Sequence, residues 1–245
     1  MSGFLIIRFL FSAALLGAVA VITIHAQDNF QSDTLKTSNG DLKMVFIGHG
    51  TLMFEYSGIV IHVDPVSTYA DYSKLPKADL ILITHEHGDH LDPRAIQTLR
   101  KPNTTRIIVN PGSAKDLPDA TVMKNADATT LFGIKIEAVP AYNPEKPFHP
   151  KGNGNGYVLT FGDKRVFAAG DTENVPEIKS LKNIDVAFLP MNLPFTMTPE
   201  QVADVAKAMR PKVLYPYHYG NTDPNRLVML LKDEKGIEVR VRNLK

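Results

Sequence analysis

The stretch Leu80-Ile81-Leu82-Ile83-Thr84-His85-Glu86-His87-Gly88-Asp89-His90 decides how this chain is read. Four apolar residues in a row read as a short buried strand. After Thr84, six residues carry three imidazoles and the carboxylate of Asp89, borderline donors suited to zinc and its first-row neighbours. His85 and His87 stand two apart, and on a helix such residues face nearly opposite ways. The spacing therefore predicts a tight loop at the C-terminal end of a strand, with Gly88 letting the chain fold back. Such a loop can turn His85 and His87 toward one metal, and Asp89 and His90 toward a second.

Four more polar residues stand where a rigid sheet could present them. Asp64 ends the run Ile61-His62-Val63, and Asp171 follows Ala168-Ala169-Gly170. His218 ends Tyr215-Pro216-Tyr217, and His149 lies in the loop Asn143-Pro144-Glu145-Lys146-Pro147-Phe148-His149. Strand ends hold ligands well because the sheet fixes their direction. Singly these residues are weak signals; beside the His-rich loop they form a pattern.

The remaining sequence alternates short strands with single helices. Strands are predicted at 42–47, 52–56, 59–63, 80–83, 106–109, 120–123, 129–132, 134–139, 157–161, 165–168, 186–189, 213–217 and 237–241, with helices at 93–99, 199–209 and 225–231. Asp92 with Pro93, and Thr198 with Pro199 and Gln201, are helix-start signals. Consecutive strands with helices interposed one at a time fit two sheets flanked by helices better than a doubly wound parallel sheet.

Composition narrows the class. The 245 residues are 44% hydrophobic and 22% charged, which is ordinary for a globular chain. There is no cysteine, so neither disulfides nor thiolate ligands are available. Arg8 is followed by the uncharged apolar run Phe9–Ile24 and by Ala26, which predicts a secretory signal peptide over 1–26 and an exported, periplasmic protein. An uncleaved membrane anchor is the other reading of that run, and the only membrane contact expected. Residues 27–41 are polar and lack periodicity, and are predicted to be a flexible linker. Of 27 Lys and Arg, only Arg8 precedes Gln27, so the remaining 26 balance the 26 acidic residues. That zero net charge disfavours a nucleic-acid partner.

With these motifs in place, the chain from Leu42 to Lys245 resembles the metallo-β-lactamase superfamily. It has that family's Asp-ended strand (Asp64), its His-x-His-x-Asp-His motif (His85 to His90), and then its single His, Asp and His in order at His149, Asp171 and His218. Gly48-His49-Gly50, Gly170-Asp171-Thr172, Phe195-Thr196-Met197 and Pro216-Tyr217-His218-Tyr219 are similar to the ascorbate-6-phosphate-lactonase-like branch of metal-dependent hydrolases; Asn192-Leu193-Pro194 departs from that branch, where a glycine pair is usual. The resemblance implies an α/β fold, an αβ/βα four-layer sandwich of two mixed β-sheets flanked by helices. It implies two divalent metal ions, zinc first and manganese second. His85, His87 and His149 would hold the first metal; Asp89, His90 and His218 would hold the second; Asp171 would bridge them. Asp64 would orient a ligand histidine through its other ring nitrogen. His49 would face the site or pack structurally.

The function expected is a metal-dependent hydrolase in which a hydroxide shared by two metals attacks an ester, lactone or phosphodiester of a small molecule. Asp89 would orient that hydroxide and take its proton. Tyr142, Phe148, Phe195, Tyr217 and Tyr219 flank the motifs and either line a partly apolar cleft or pack the core. Two other classes stay open: an iron-dependent oxidoreductase on the same fold, and a non-catalytic periplasmic metal-binding protein.

Overall fold

The computed structural model describes residues 30–245; the expected leader at 1–26 and residues 27–29 of the expected linker lie outside them. The first sheet contains β1 (Gln31–Thr37), β2 (Gly40–Gly48), β3 (Thr51–Tyr56), β4 (Ile59–Val63), β5 (Leu80–Leu82), β6 (Arg106–Val109) and β7 (Thr121–Val122), side by side in chain order. β1 to β4 form an antiparallel meander, and β4 to β7 run parallel. The second sheet repeats that plan. β8 (Ala128–Leu131), β9 (Ile134–Ala141), β10 (Gly154–Phe161) and β11 (Lys164–Ala168) are antiparallel, then β12 (Val186–Pro190), β13 (Val213–Tyr217) and β14 (Glu238–Val239) continue parallel from β11.

Period-two alternation decides what each face buries. Along β2, Leu42, Met44 and Phe46 enter the large apolar cluster between the sheets, while Val45 and Ile47 enter a smaller one. Phe46 meets Phe188 and Tyr215 of the second sheet at ring-centroid distances of 6.2 and 5.0 Å. Each such ring, fully buried, contributes roughly 1.5–3 kcal/mol of hydrophobic free energy. The smaller cluster lies under α1 (Pro93–Leu99), which adds Ala95, Ile96 and Leu99. Three helices serve the second sheet: α2 (Pro176–Lys179), α3 (Pro199–Met209) and α4 (Pro224–Leu231). α3 starts in a complete capping box between Thr198 and Gln201 and buries Val202, Val205, Ala206 and Met209. The result is the expected four-layer arrangement of two mixed sheets with helices outside.

One expectation is corrected. Within the predicted linker 27–41, Gln31–Thr37 is an edge strand with seven residues in register against β2. Its polar sequence hid it, because an edge strand exposes one face and its stabilisation is non-local: the Asp33 carboxylate accepts from Arg242 Nη2 at 2.7 Å and also meets Arg240 and Tyr215. Smaller shifts are confined to ends, such as α4 starting at Pro224 behind an Asp223 cap. Among the described residues no helix is long and apolar enough to cross a membrane.

Candidate metal centre

The C-terminal ends of the parallel strands converge on one site, where open sheets usually place ligands. Asp64 follows β4, the His-rich loop follows β5, Asp171 follows β11, and His218 follows β13. His49 lies in the β2–β3 turn, and His149 in the β9–β10 loop. The backbone is bent to this purpose: His49, Asp64 and His218 adopt φ of 52°, 46° and 47°. A non-glycine residue held in that region costs on the order of 1–3 kcal/mol, a cost found mainly at functional sites. Gly50 is required by packing, since a Cβ there would lie 2.8 Å from the His90 ring. Gly88, by contrast, adopts no positive φ and faces open space, so the loop turns without the glycine it was expected to need.

Every residue of the predicted set is brought together. The carboxylate of Asp171 stands 3.3 Å from His149 Nε2, 3.5 Å from both His90 Nε2 and His218 Nε2, and 4.0 Å from His85 Nε2. Asp89 Oδ2 lies 3.4 Å from His218 Nε2 and 3.9 Å from His90 Nε2. The potential ligand atoms of His85, His87 and His149 lie within 4.8 Å of one another, as do those of His85, His90 and Asp171. A third such group is His49, Asp89 and His218, so geometry adds His49 to the centre. Its Nε2 is 3.3 Å from Asp89 Oδ2, and its ring lies 3.7 Å from that of His218.

The outer ring nitrogens of His85, His90 and His149 are committed, whereas Nδ1 of His218 has no partner among the described residues. His90 Nδ1 donates to Asp64 Oδ2 at 2.8 Å, and His149 Nδ1 donates to Asn143 Oδ1 at 2.7 Å. His85 Nδ1 lies 3.0 Å from Thr84 Oγ1, which itself donates to Asp64. These bonds fix the tautomer and leave the Nε2 lone pairs pointing inward. There, His85 Nε2, His90 Nε2, His149 Nε2, His218 Nε2 and Asp171 Oδ1 are buried without any hydrogen-bond partner among the described residues. Buried polar atoms are rarely orphaned, and five at one point fit a bound cation. The donor set, imidazole with carboxylate, fits a divalent ion.

Charge reinforces this fit. Burial, and then repulsion from His90, hold His85 well below the usual imidazole range. Burial works against ionisation of Asp171, yet His218 and His90 outweigh it and hold the carboxyl well below its ordinary range. Burial also disfavours charge on His90, but Asp171 and Asp64 overcome it and raise its pKa to about 9. The carboxylates thus draw positive charge into the centre, and without a metal a proton answers that demand.

A cleft of about 310 Å³ opens over the centre, lined by His49, Asp89, His218, Phe148, Phe195 and Asn192 among others. A larger groove of about 520 Å³, lined by Lys164, Lys182 and Arg210, contains none of the site residues. Of the five flanking aromatics, Phe148 and Phe195 line the cleft; Tyr142, Tyr217 and Tyr219 are buried, and their hydroxyls bond Glu177, Gly170 and the Arg242 carbonyl. Glu86 accepts from Asn110 and Asn153 at 3.0 and 2.6 Å, pinning the loop from behind. Sequence reading gave no role to Asn143 or to Thr84, which lies inside the quoted stretch; Asn192 belongs to the 192–194 loop that the sequence had singled out.

Residues 43–218 match the profile of a family described as the beta-lactamase superfamily domain. The chain is 32% identical to the UPF0173 metal-dependent hydrolase of Thermococcus kodakarensis over 75% of this chain and 87% of the relative. A solved structure from Parabacteroides distasonis, classed as a metal-dependent hydrolase, is 54% identical, covers 88% of this chain and 100% of its own, and superposes with a TM-score of 0.85. Igni18, a metallo hydrolase of Ignicoccus hospitalis, is 27% identical with a TM-score of 0.70, covering 83% of this chain and 95% of its own. The chain belongs to the beta-lactamase superfamily, as a metal-dependent hydrolase with the metallo-β-lactamase fold.

Proposed function

We propose that the centre holds two divalent metal ions, zinc or alternatively manganese, and hydrolyses an ester, lactone or phosphodiester of a small molecule. The observation that carries this reading is the convergence of four orphaned Nε2 atoms on one ionised carboxylate, Asp171. His85, His87 and His149 would hold one ion, and Asp89, His90 and His218 the other, with Asp171 between them. Bound there, the ions would supply a hydroxide near neutral pH and polarise the attacked oxygen. Asp89, whose side chain is 44% exposed toward the cleft, orients the nucleophile and accepts its proton. His49 Nε2, beside Asp89 Oδ2, can pass that proton outward. Asp64 and Asn143 keep the rings of His90 and His149 aimed inward. The leader-like residues 1–26 favour action outside the cytoplasm.

The test is elemental mass spectrometry of the purified protein together with hydrolysis of bis(p-nitrophenyl) phosphate and simple lactones. Near two equivalents of zinc or manganese and chelator-sensitive turnover are expected, and both disappear in His85→Ala and Asp171→Ala. Iron with oxygen consumption would move the assignment to redox chemistry, and a fully active metal-free variant would end the reading.

A further inference from the structure

Five large apolar side chains are well exposed among the described residues, and two of them, Leu193 at 46% and Phe195 at 41%, sit on one short loop at the mouth of the cleft. Apolar surface left open beside catalytic groups marks a ligand contact. Phe195 does not stand alone: its ring meets Phe148 edge-on, with centroids 4.9 Å apart. Such a pair still offers faces and edges to a third flat group.

The wall is also held in place. Asn143 Nδ2 donates to the Phe195 carbonyl at 3.0 Å while its Oδ1 holds His149, and Lys146 donates to the Thr196 carbonyl. The aromatic wall and the His149 ligand therefore share one support, which fixes the distance between a bound ring and the reacting centre.

Charge then narrows what the wall can accept. Among the described residues no Lys or Arg lines the cleft. The nearest cation along the loop, Lys146, is paired with the buried Glu173. A substrate with a carboxylate or phosphate away from the reacting bond would find no counter-charge there. The polar residue available is Asn192, whose side chain rests against Gly220 and makes no side-chain hydrogen bond among the described residues. Its amide offers a neutral donor to a carbonyl oxygen.

We infer that the substrate is an uncharged carboxylic ester or lactone bearing a flat apolar group, which packs on the Phe148–Phe195 wall while Asn192 faces its carbonyl. This rests on the hydrolase reading above and narrows it, leaving phosphodiesters aside. In the reaction water adds to the carbonyl carbon, the C–O bond breaks, one of the water protons goes to the departing alkoxide, and the other is released to solvent as the acid leaves ionised.

The metal-loaded protein would be assayed with p-nitrophenyl phenylacetate, p-nitrophenyl acetate, mono-p-nitrophenyl succinate and bis(p-nitrophenyl) phosphate. The phenylacetate is expected to exceed each of the others in kcat/KM by about tenfold or more, the worth of burying one ring. Phe195→Ala should erase most of that preference through KM, with metal content unchanged. In chelator-treated protein, saturation-transfer NMR should show contact with the ring protons of phenylacetamide, and Phe195→Ala should remove it. Preference for the succinate or the phosphodiester, or equal losses on acetate and phenylacetate in Phe195→Ala, would overturn the inference. Hydrolysis of none of the four, with the ring contact retained, would instead remove the reaction and leave the binding wall standing.

Discussion

Asp64 and His90 share a 2.8 Å hydrogen bond in a place where both side chains are almost wholly buried. The carboxylate also accepts from the Thr84 amide at 2.8 Å and from its hydroxyl at 2.6 Å, so one residue sets both the imidazole and the start of the His-rich loop. Asp64→Asn keeps the shape but weakens the pull on Nδ1–H. Metal affinity is expected to fall about 10–100-fold, the usual cost of losing such an outer partner. Competition with a chromogenic chelator measures it, and unchanged affinity would show that Asp64 only caps the strand.

His49 and Asp89 make a second pair of interest. His49 Nε2 already has a partner in Asp89, whereas Nε2 of His90 and of His218 has none. That difference favours proton handling over metal binding for His49. His49→Gln should retain the wild-type metal content while kcat drops roughly 100-fold, in the range of a lost acid–base group. Loss of one metal equivalent in this variant would make His49 a ligand instead.

The buried His62 supplies a pH-dependent term in stability. It sits in β4, its Nε2 donates to the Pro76 carbonyl at 3.1 Å, and burial lowers its pKa from 6.5 to about 4. Between those values the unfolded chain binds a proton that the folded chain refuses. The stabilisation is therefore complete above pH 6.5 and is lost as pH falls toward 4. The loss amounts to at most roughly 3 kcal/mol. Urea unfolding at pH 7 and pH 4.5 reads it, and His62→Phe should flatten the difference. Equal pH dependence in the two proteins would assign acid sensitivity elsewhere.

The edge strand β1 is tied to the far end of the chain through Asp33. Its carboxylate is 15% exposed and faces Arg242, Arg240 and Tyr215. Asp33→Ala leaves the partly buried Arg242 without its counter-charge, while Arg240 keeps Glu238. The expected cost is roughly 1–3 kcal/mol, below that of a fully buried pair because solvent screens part of it. A lower urea midpoint with an unchanged m-value checks this, and an unaltered midpoint would make β1 dispensable.

The parts of the fold written locally were legible. α1 and α3 begin where Asp92–Pro93 and Thr198–Pro199–Gln201 predict, because caps act within one turn. The candidate donor cluster was legible because its residues follow one another in a recognisable order, most of them just beyond strand ends and His149 in a loop. β1 was not: its polar, edge-exposed residues pair with β2 across the turn at Ser38–Asn39, and its side-chain tie to Arg242 spans about two hundred residues. α2 was hidden because it has four residues and Val175 provides no side-chain cap. Asn143 was overlooked because its role depends on where Phe195 and His149 end up, which no spacing encodes.

The repeated plan of the two sheets carries a consequence for how the protein lives and dies. The first sheet supplies His85 to His90, the second supplies His149, Asp171 and His218, and neither half holds the whole cluster of candidate donors. An ion bound between them would rivet two scaffolds that are otherwise joined by packing and by a few cross-sheet bonds such as Asp33–Arg242 and Glu86–Asn153. Any ion that binds the folded state alone adds RT ln(1 + [ion]/Kd) to its stability. Metal starvation would then act on this protein as a destabilising mutation does, and chelation would cost it durability along with turnover.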